Sequence, residues 1–171
     1  MKKFSYAFSA LLLALSLQSA RAAEAGFEIG GGAGINSLSG WDDATGFQVF
    51  GAYNFGDVAP KLNISVEAGF WDSGDFEINV PPLCLPGFPC VGGMTMSANA
   101  TGLWATGRVG YTFHPMWEVM ARAGFDAGDD DGAMFGAGIG FNINDAMQLR
   151  AEIVERQNIS SKQLNFLYRF Q

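Results

Sequence analysis

Apolar side chains alternate with polar or very small ones at a period of two along most of this chain, the pattern of strands whose two faces meet different surroundings. The third such segment is the clearest, with Leu62, Ile64, Val66, Ala68 and Phe70 on one side and Asn63, Ser65, Glu67 and Gly69 on the other. The same alternation predicts strands over about Ala25–Asn36, Ala44–Phe55, Ser97–Phe113, Trp117–Asp126, Phe135–Ile143, Met147–Ile153 and Gln163–Phe170. Hardly any segment after the first residues carries the 3.6-residue periodicity of an amphipathic helix.

The connections between the eight segments alternate in length. Residues 56–61, 114–116 and 144–146 read as tight turns, whereas 37–43, 72–96, 127–132 and 157–161 are generally longer. Eight strands joined in this order form an up-and-down antiparallel sheet, and closing it into a ring removes its exposed edges.

A closed ring of this size is either a soluble ligand carrier or a membrane span, and the distribution of charge decides between them. The apolar face carries no Asp, Glu, Lys or Arg until Glu155, near the far end of the seventh segment. The other face collects Glu28, Glu67, Arg108, Glu118, Arg122, Asp126, Arg150, Glu152 and Arg169. A lipid-facing Arg or Lys at the bilayer midplane costs about 2–4 kcal/mol, so hydrocarbon demands this eviction of charge from one face. A carrier would reverse it, with charge outside and a largely apolar cavity. The predicted fold is therefore all-β, an eight-stranded antiparallel up-and-down transmembrane β-barrel.

Aromatic positions orient the barrel. Tyr53, Phe55, Tyr111, Phe113, Trp117, Phe141, Tyr168 and Phe170 all fall at strand ends beside the short turns or the C-terminus, where an interfacial girdle belongs. In outer-membrane barrels the short turns face the periplasm and the long loops face outward. The expected location is thus the bacterial outer membrane.

The start of the chain agrees with export. Lys2 and Lys3 precede an apolar run from Ala7 to Leu17 that ends in the small-residue site Ala20-Arg21-Ala22. Residues 1–22 are expected to be a cleaved signal peptide and 23–171 the barrel domain, about 149 residues and one domain in length. The leader contains three of the cations, so the mature chain is more acidic than the net −7 of the whole sequence. That balance argues against nucleic acid as a partner. Cys84 and Cys90 enter an oxidising compartment, where a short-range disulfide is the default and a pair of free thiols the alternative.

The signal peptide, the eight alternating segments and the closing stretch Leu164-Asn165-Phe166-Leu167-Tyr168-Arg169-Phe170 resemble the OmpA/OmpX-type family of small outer-membrane barrels. The resemblance covers essentially the whole mature chain and specifies architecture rather than activity. It implies that Phe166, Tyr168 and Phe170 are read by the barrel-assembly machinery, although Gln171 follows the Phe that ends the chain in that family. The length leaves no room for an appended peptidoglycan-binding domain, so the barrel alone is expected, as a monomer in contact with outer-membrane lipid and lipopolysaccharide.

Candidate chemistry is sparse. The single histidine, His114, lacks the partners of a catalytic constellation and lies on a short turn at the predicted periplasmic edge, whereas a lipid A-modifying or proteolytic site would be expected at the outer leaflet or rim, which argues against an enzyme. No cofactor is implied. Asp129-Asp130-Asp131-Gly132 does not follow the EF-hand pattern and reads as a solvated loop. Glu28, Glu67, Glu118 and Glu152 are expected to interlock with Arg108, Arg122, Arg150 and Arg169 inside the ring, because eight strands leave an interior that side chains fill. Inward glycines at 30, 32, 34, 136, 138 and 140 leave room for water, which keeps a narrow channel open as an alternative. The second long connection holds four prolines, the two cysteines, and Leu83, Leu85 and Phe88. Pre-ordering these apolar residues lowers the entropy cost of binding, so they are the candidate contact surface for an extracellular ligand or host surface, unless they pack on the loop itself. The expected function is a non-enzymatic structural or surface-contact role.

Overall fold

The structure is a computed structural model that describes residues 25–84, 86, 90 and 92–170. The expected leader, Leu85 and Phe88 of the contact loop, and Gln171 lie outside the described residues.

Eight strands follow one another: β1 (Gly26–Leu38), β2 (Ala44–Ala59), β3 (Leu62–Val80), β4 (Met94–His114), β5 (Trp117–Gly128), β6 (Gly132–Asn142), β7 (Met147–Glu155) and β8 (Ile159–Arg169). Each pairs antiparallel with its neighbours in sequence, and β8 pairs with β1 from Glu28↔Arg169 to Leu38↔Ile159, so the sheet closes into a barrel. The period-two pattern produces this ring directly. Phe27, Leu103 and Phe125 point out at 65%, 64% and 73% exposure, while Glu67, Arg108 and Arg150 point in at 2%, 1% and 0%. Exposed apolar rows of this kind are stable when lipid, not water, is the solvent.

Three connections differ from the sequence reading. The stretch 72–96, expected as a loop, is ladder at both of its ends: Asp75 to Val80 pair with Asn99 to Met94, and a β3–β4 hairpin stands beyond the ring. Phe76, Ile78 and Val80 alternate there with polar residues, a pattern hidden by the irregularity between Asp72 and Asp75, where Gly74 adopts φ 72°. At the opposite end, β2 continues to Ala59 through two register shifts, with Gly56 at φ 78°, and the turn itself is confined to Pro60 and Lys61. Finally, β8 begins at Ile159, not beyond Ser161, which adds Lys162 to the outward row. The outer face therefore carries a cation that the sequence reading did not assign to it.

Aromatic pairs line the end of the short turns. Phe27 meets Tyr53 edge to face at a centroid distance of 4.8 Å, Trp117 meets Phe141 at 4.9 Å, and Tyr168 meets Phe170 at 5.2 Å. The Phe170 amide donates to the Phe27 carbonyl at 2.9 Å and ties the chain end to the first strand.

Candidate functional site

Two layers fill the barrel. Nearer the aromatic girdle the eight inward residues expected to interlock form one connected chain of ion pairs. Arg169 contacts Glu28 at 2.7 Å, Glu28 contacts Arg150 at 3.4 Å, and Arg150 contacts Glu67 at 2.7 Å. Glu67 is the hub, since Arg108 at 3.1 Å and Arg122 at 3.5 Å also meet it. Arg108 then pairs with Glu118, and Arg122 with Glu152 at 3.1 Å. Neutral side chains bind into the same layer: Ser65 Oγ accepts from Arg108 Nε at 2.9 Å, and Asn63 Nδ2 donates to Glu118 at 3.1 Å. Guanidinium groups suit this place because they stay charged and donate in several directions to carboxylates held by different strands.

The second layer lies toward the long connections and is mostly apolar. Trp71, Phe76, Met134, Val154 and Ile159 pack together with Ala44, with Leu38 and Trp41 against them. Within this layer Trp71 Nε1 donates to Asp126 Oδ1 at 3.0 Å, and Arg156 lies 4.1 Å above the Trp71 ring while donating to Asp126 Oδ2 at 2.8 Å. Asp126 was visible as an inward charge, but Arg156 falls in the connection after β7 and alternation gave no signal for it.

The inward glycines do not leave open space. At Gly30 an added Cβ would meet the side chains of Phe50 and Leu167, at Gly136 that of Arg122 at 3.1 Å, and at Gly140 those of Gln148 and Met120. Large neighbours lean over each glycine, which corrects the expectation of room for water at these positions. Between the layers, the rings of Phe50 and Trp104 meet inside the lumen at 5.5 Å with their planes tilted by 50°, and Arg122 lies 4.9 Å from the Trp104 ring.

The acidic run is also less solvated than its sequence implies. Asp130 is buried and accepts from the amides of Asn158 at 3.0 Å and Ile159 at 3.1 Å, and from Asn158 Nδ2 at 2.7 Å. Asp129 Oδ2 accepts from the Thr101 amide at 2.9 Å. These carboxylates brace the last two outer connections against each other and against β4. His114 ends β4 as an exposed residue whose Nδ1 accepts from the Met116 amide at 3.3 Å.

Outside the ring, the β3–β4 hairpin carries Val80, Met94 and Met96 on one face at 41%, 62% and 49% exposure, with Leu83 at 68% beyond them. Cys84 and Cys90 are joined by a disulfide at its tip. The opposite face of the hairpin is polar, and Thr95 Oγ1 donates there to Asn79 at 2.7 Å. On the β5 side, β4 is paired only as far as Gly102, so among the described residues no strand covers its edge from Met94 to Ala100. Of the expected contact residues Leu83 is present in this surface, and the two methionines and Val80 were not anticipated. Phe166, Tyr168 and Phe170 all project outward on the last strand.

A closed ring of eight strands with an apolar exterior, a girdle at one end and an interior packed with buried ion pairs and an apolar layer defines a transmembrane β-barrel of the outer-membrane class. Consistent with that class, the family model described as an outer membrane protein beta-barrel domain matches residues 7–170, and the chain belongs to this family. Its location is the bacterial outer membrane. No curated protein sequence matches the chain. Among solved structures it resembles Ail of Yersinia pestis in complex with the heparin analogue sucrose octasulfate, at 12% identity and TM-score 0.51 over 86% of this chain and 98% of that one. OprG from Pseudomonas aeruginosa is 15% identical with TM-score 0.51, covering 86% of this chain and 97% of that chain. The de novo designed TMB2.3 is 16% identical with TM-score 0.52, covering 88% and 98%. At these identities the likeness is one of fold.

Proposed function

We propose that this protein is a non-enzymatic, monomeric outer-membrane barrel whose β3–β4 hairpin makes contact with a polypeptide outside the cell. One observation carries the reading: a disulfide-closed hairpin stands beyond a packed barrel with an apolar face and an uncovered strand edge. Such an edge accepts an extended segment by backbone hydrogen bonding, and the apolar face selects its alternate side chains. The exposed carboxylates around it, Asp42, Asp43, Asp75, Glu77 and Asp131, favour a partner with Lys or Arg between its apolar residues. They also disfavour a sulfated polyanion of the kind bound to Ail in its structure. The barrel supplies the rigid base, and Phe166, Tyr168 and Phe170 on the last strand are its proposed assembly signal.

Panning a random peptide display library on the purified folded protein tests this function. Peptides that alternate apolar residues with Lys or Arg should be enriched, and Met94→Asp combined with Met96→Asp should abolish the enrichment while the barrel stays folded. Equal enrichment on the double variant would remove the hairpin face from the proposal.

A further inference from the structure

Lys162 is an outward-facing cation on the lipid-facing wall, and its surroundings make it specific. Its register partners on the two neighbouring strands are Ile35 and Ile153. It makes no ion pair among the described residues, although Glu155 stands two register positions further out on the neighbouring strand. The Glu155 carboxylate instead accepts from the Ser160 hydroxyl at 2.8 Å. At and below the level of Lys162, which itself lines it, the wall forms an open apolar groove of about 760 Å³, bounded further by Ala33, Ala137, Ile139, Ala151 and Leu164.

Height along the barrel identifies the leaflet. Tyr168 belongs to the girdle at the periplasmic side, and Lys162 lies six residues further out on the same strand. At about 3.3 Å per residue and a tilt of about 40°, that separation is roughly 15 Å along the membrane normal. The apolar band is about 25 Å tall, so the Lys162 backbone sits past the midplane and its extended side chain reaches toward the outer surface. A lone ammonium at that depth needs an anion, and among the described residues no carboxylate is paired with it. Phosphates of the outer-leaflet lipid lie at that boundary.

The shape of the groove selects among lipids. It runs from β6 across β7 and β8 to β1, three strand spacings or about 14 Å. Several acyl chains fit side by side over that width beneath one phosphorylated head, the build of lipopolysaccharide rather than of a two-chain phospholipid.

We infer that this wall is a lipopolysaccharide site, with Lys162 binding a lipid A phosphate and the groove below it receiving acyl chains. The molecule carries its own control. A second apolar groove of about 680 Å³, bounded by Gly51, Ala68, Ala105, Gly107 and Ala123, lies on the opposite wall, and among the described residues no Lys or Arg lines it.

Native mass spectrometry of the full mature protein in detergent tests the site, with diphosphoryl lipid A, its dephosphorylated form and phosphatidylglycerol as probes. Folding of each variant is checked by its mobility before and after boiling. One diphosphoryl lipid A should be retained per barrel, and Lys162→Gln should weaken it by about tenfold or more. Lys162→Arg should keep the affinity, and Ala151→Phe should reduce it by filling the groove. Ala123→Phe, in the uncharged groove, should leave it unchanged. Unaltered binding in Lys162→Gln, equal binding of the dephosphorylated probe, or equal binding of phosphatidylglycerol would each overturn the assignment. So would a dimer that Ala151→Phe dissociates in the absence of lipid, since the groove would then be an interface between copies.

Discussion

Arg156 and Asp126 meet across the outer mouth of the barrel, Nε to Oδ2 at 2.8 Å, with both side chains wholly withdrawn from solvent. One comes from the last outer connection and the other from the end of β5, so the pair ties a connection to the wall over the indole of Trp71. Neither charge has water to fall back on. Arg156→Ala or Asp126→Ala should therefore cost about 3–5 kcal/mol, the usual penalty for stranding one member of a buried pair. Replacing both with leucine should cost less than either single change. Urea unfolding in detergent, followed by tryptophan fluorescence, measures all three.

Glu67 is met by three guanidinium groups, whereas among the described residues Glu152 forms an ion pair with one, that of Arg122. Neutralising the hub leaves three converging cations to repel one another at short range. Glu67→Gln should lower the thermal midpoint more than Glu152→Gln does, and a larger effect at Glu152 would displace Glu67 from the centre of the network.

Two glycines on neighbouring strands separate packing from conformational freedom. A Cβ on Gly32 would collide with the Asn165 side chain and stand 2.7 Å from its Cα, whereas one on outward Gly51 would find nothing nearer than 4.0 Å. Gly32→Ala should deplete the compact form seen before boiling on a gel. Gly51→Ala should leave it at the level of the parent.

The disulfide closes the tip of a hairpin whose ladder already runs to Val80 and Met94. Cys84→Ser with Cys90→Ser should leave membrane insertion and the heat-dependent mobility shift intact, and should speed proteolysis within residues 81–93. Loss of the compact barrel in that variant would mean that the loop takes part in folding.

Phe50, Trp104 and the ion-pair layer obstruct the lumen between its two ends. Purified protein in a planar bilayer should show no steady conductance. Phe50→Ala with Trp104→Ala removes the aromatic constriction and is the variant in which a current would first arise.

Much of this architecture was legible because lipid imposes a simple rule. A residue on the wrong face is costly, so Leu62 to Phe70 and Trp117 to Asp126 announce both their strands and their inward charges. The rule loses force where lipid ends. Phe76, Ile78 and Val80 alternate as cleanly as any segment, but the Gly74 irregularity and the prolines beyond disguised them as loop. Arg156 escaped notice because its burial comes from a connection folding back over the mouth, which no period describes. Lys162 was missed through a boundary error at the start of β8, and the filling of the inward glycines depends on which neighbours lean across them, a matter of three-dimensional packing.

The contacts between β1 and β8 join the two ends of the chain. Glu28 meets Arg169 across 141 residues, Asn36 meets Ser161 across 125, and just beyond the seam Gln48 reaches Asn165 across 117. A half-curled sheet in which β8 had not yet arrived would hold Glu28, Asn36 and Gln48 without these partners, and its last strand would expose an unpaired edge to hydrocarbon. Folding is therefore rewarded late, when the ends meet, and states short of closure gain little that they can keep. The seam acts as a latch, and the family of partially open sheets on either side of it should be sparsely populated.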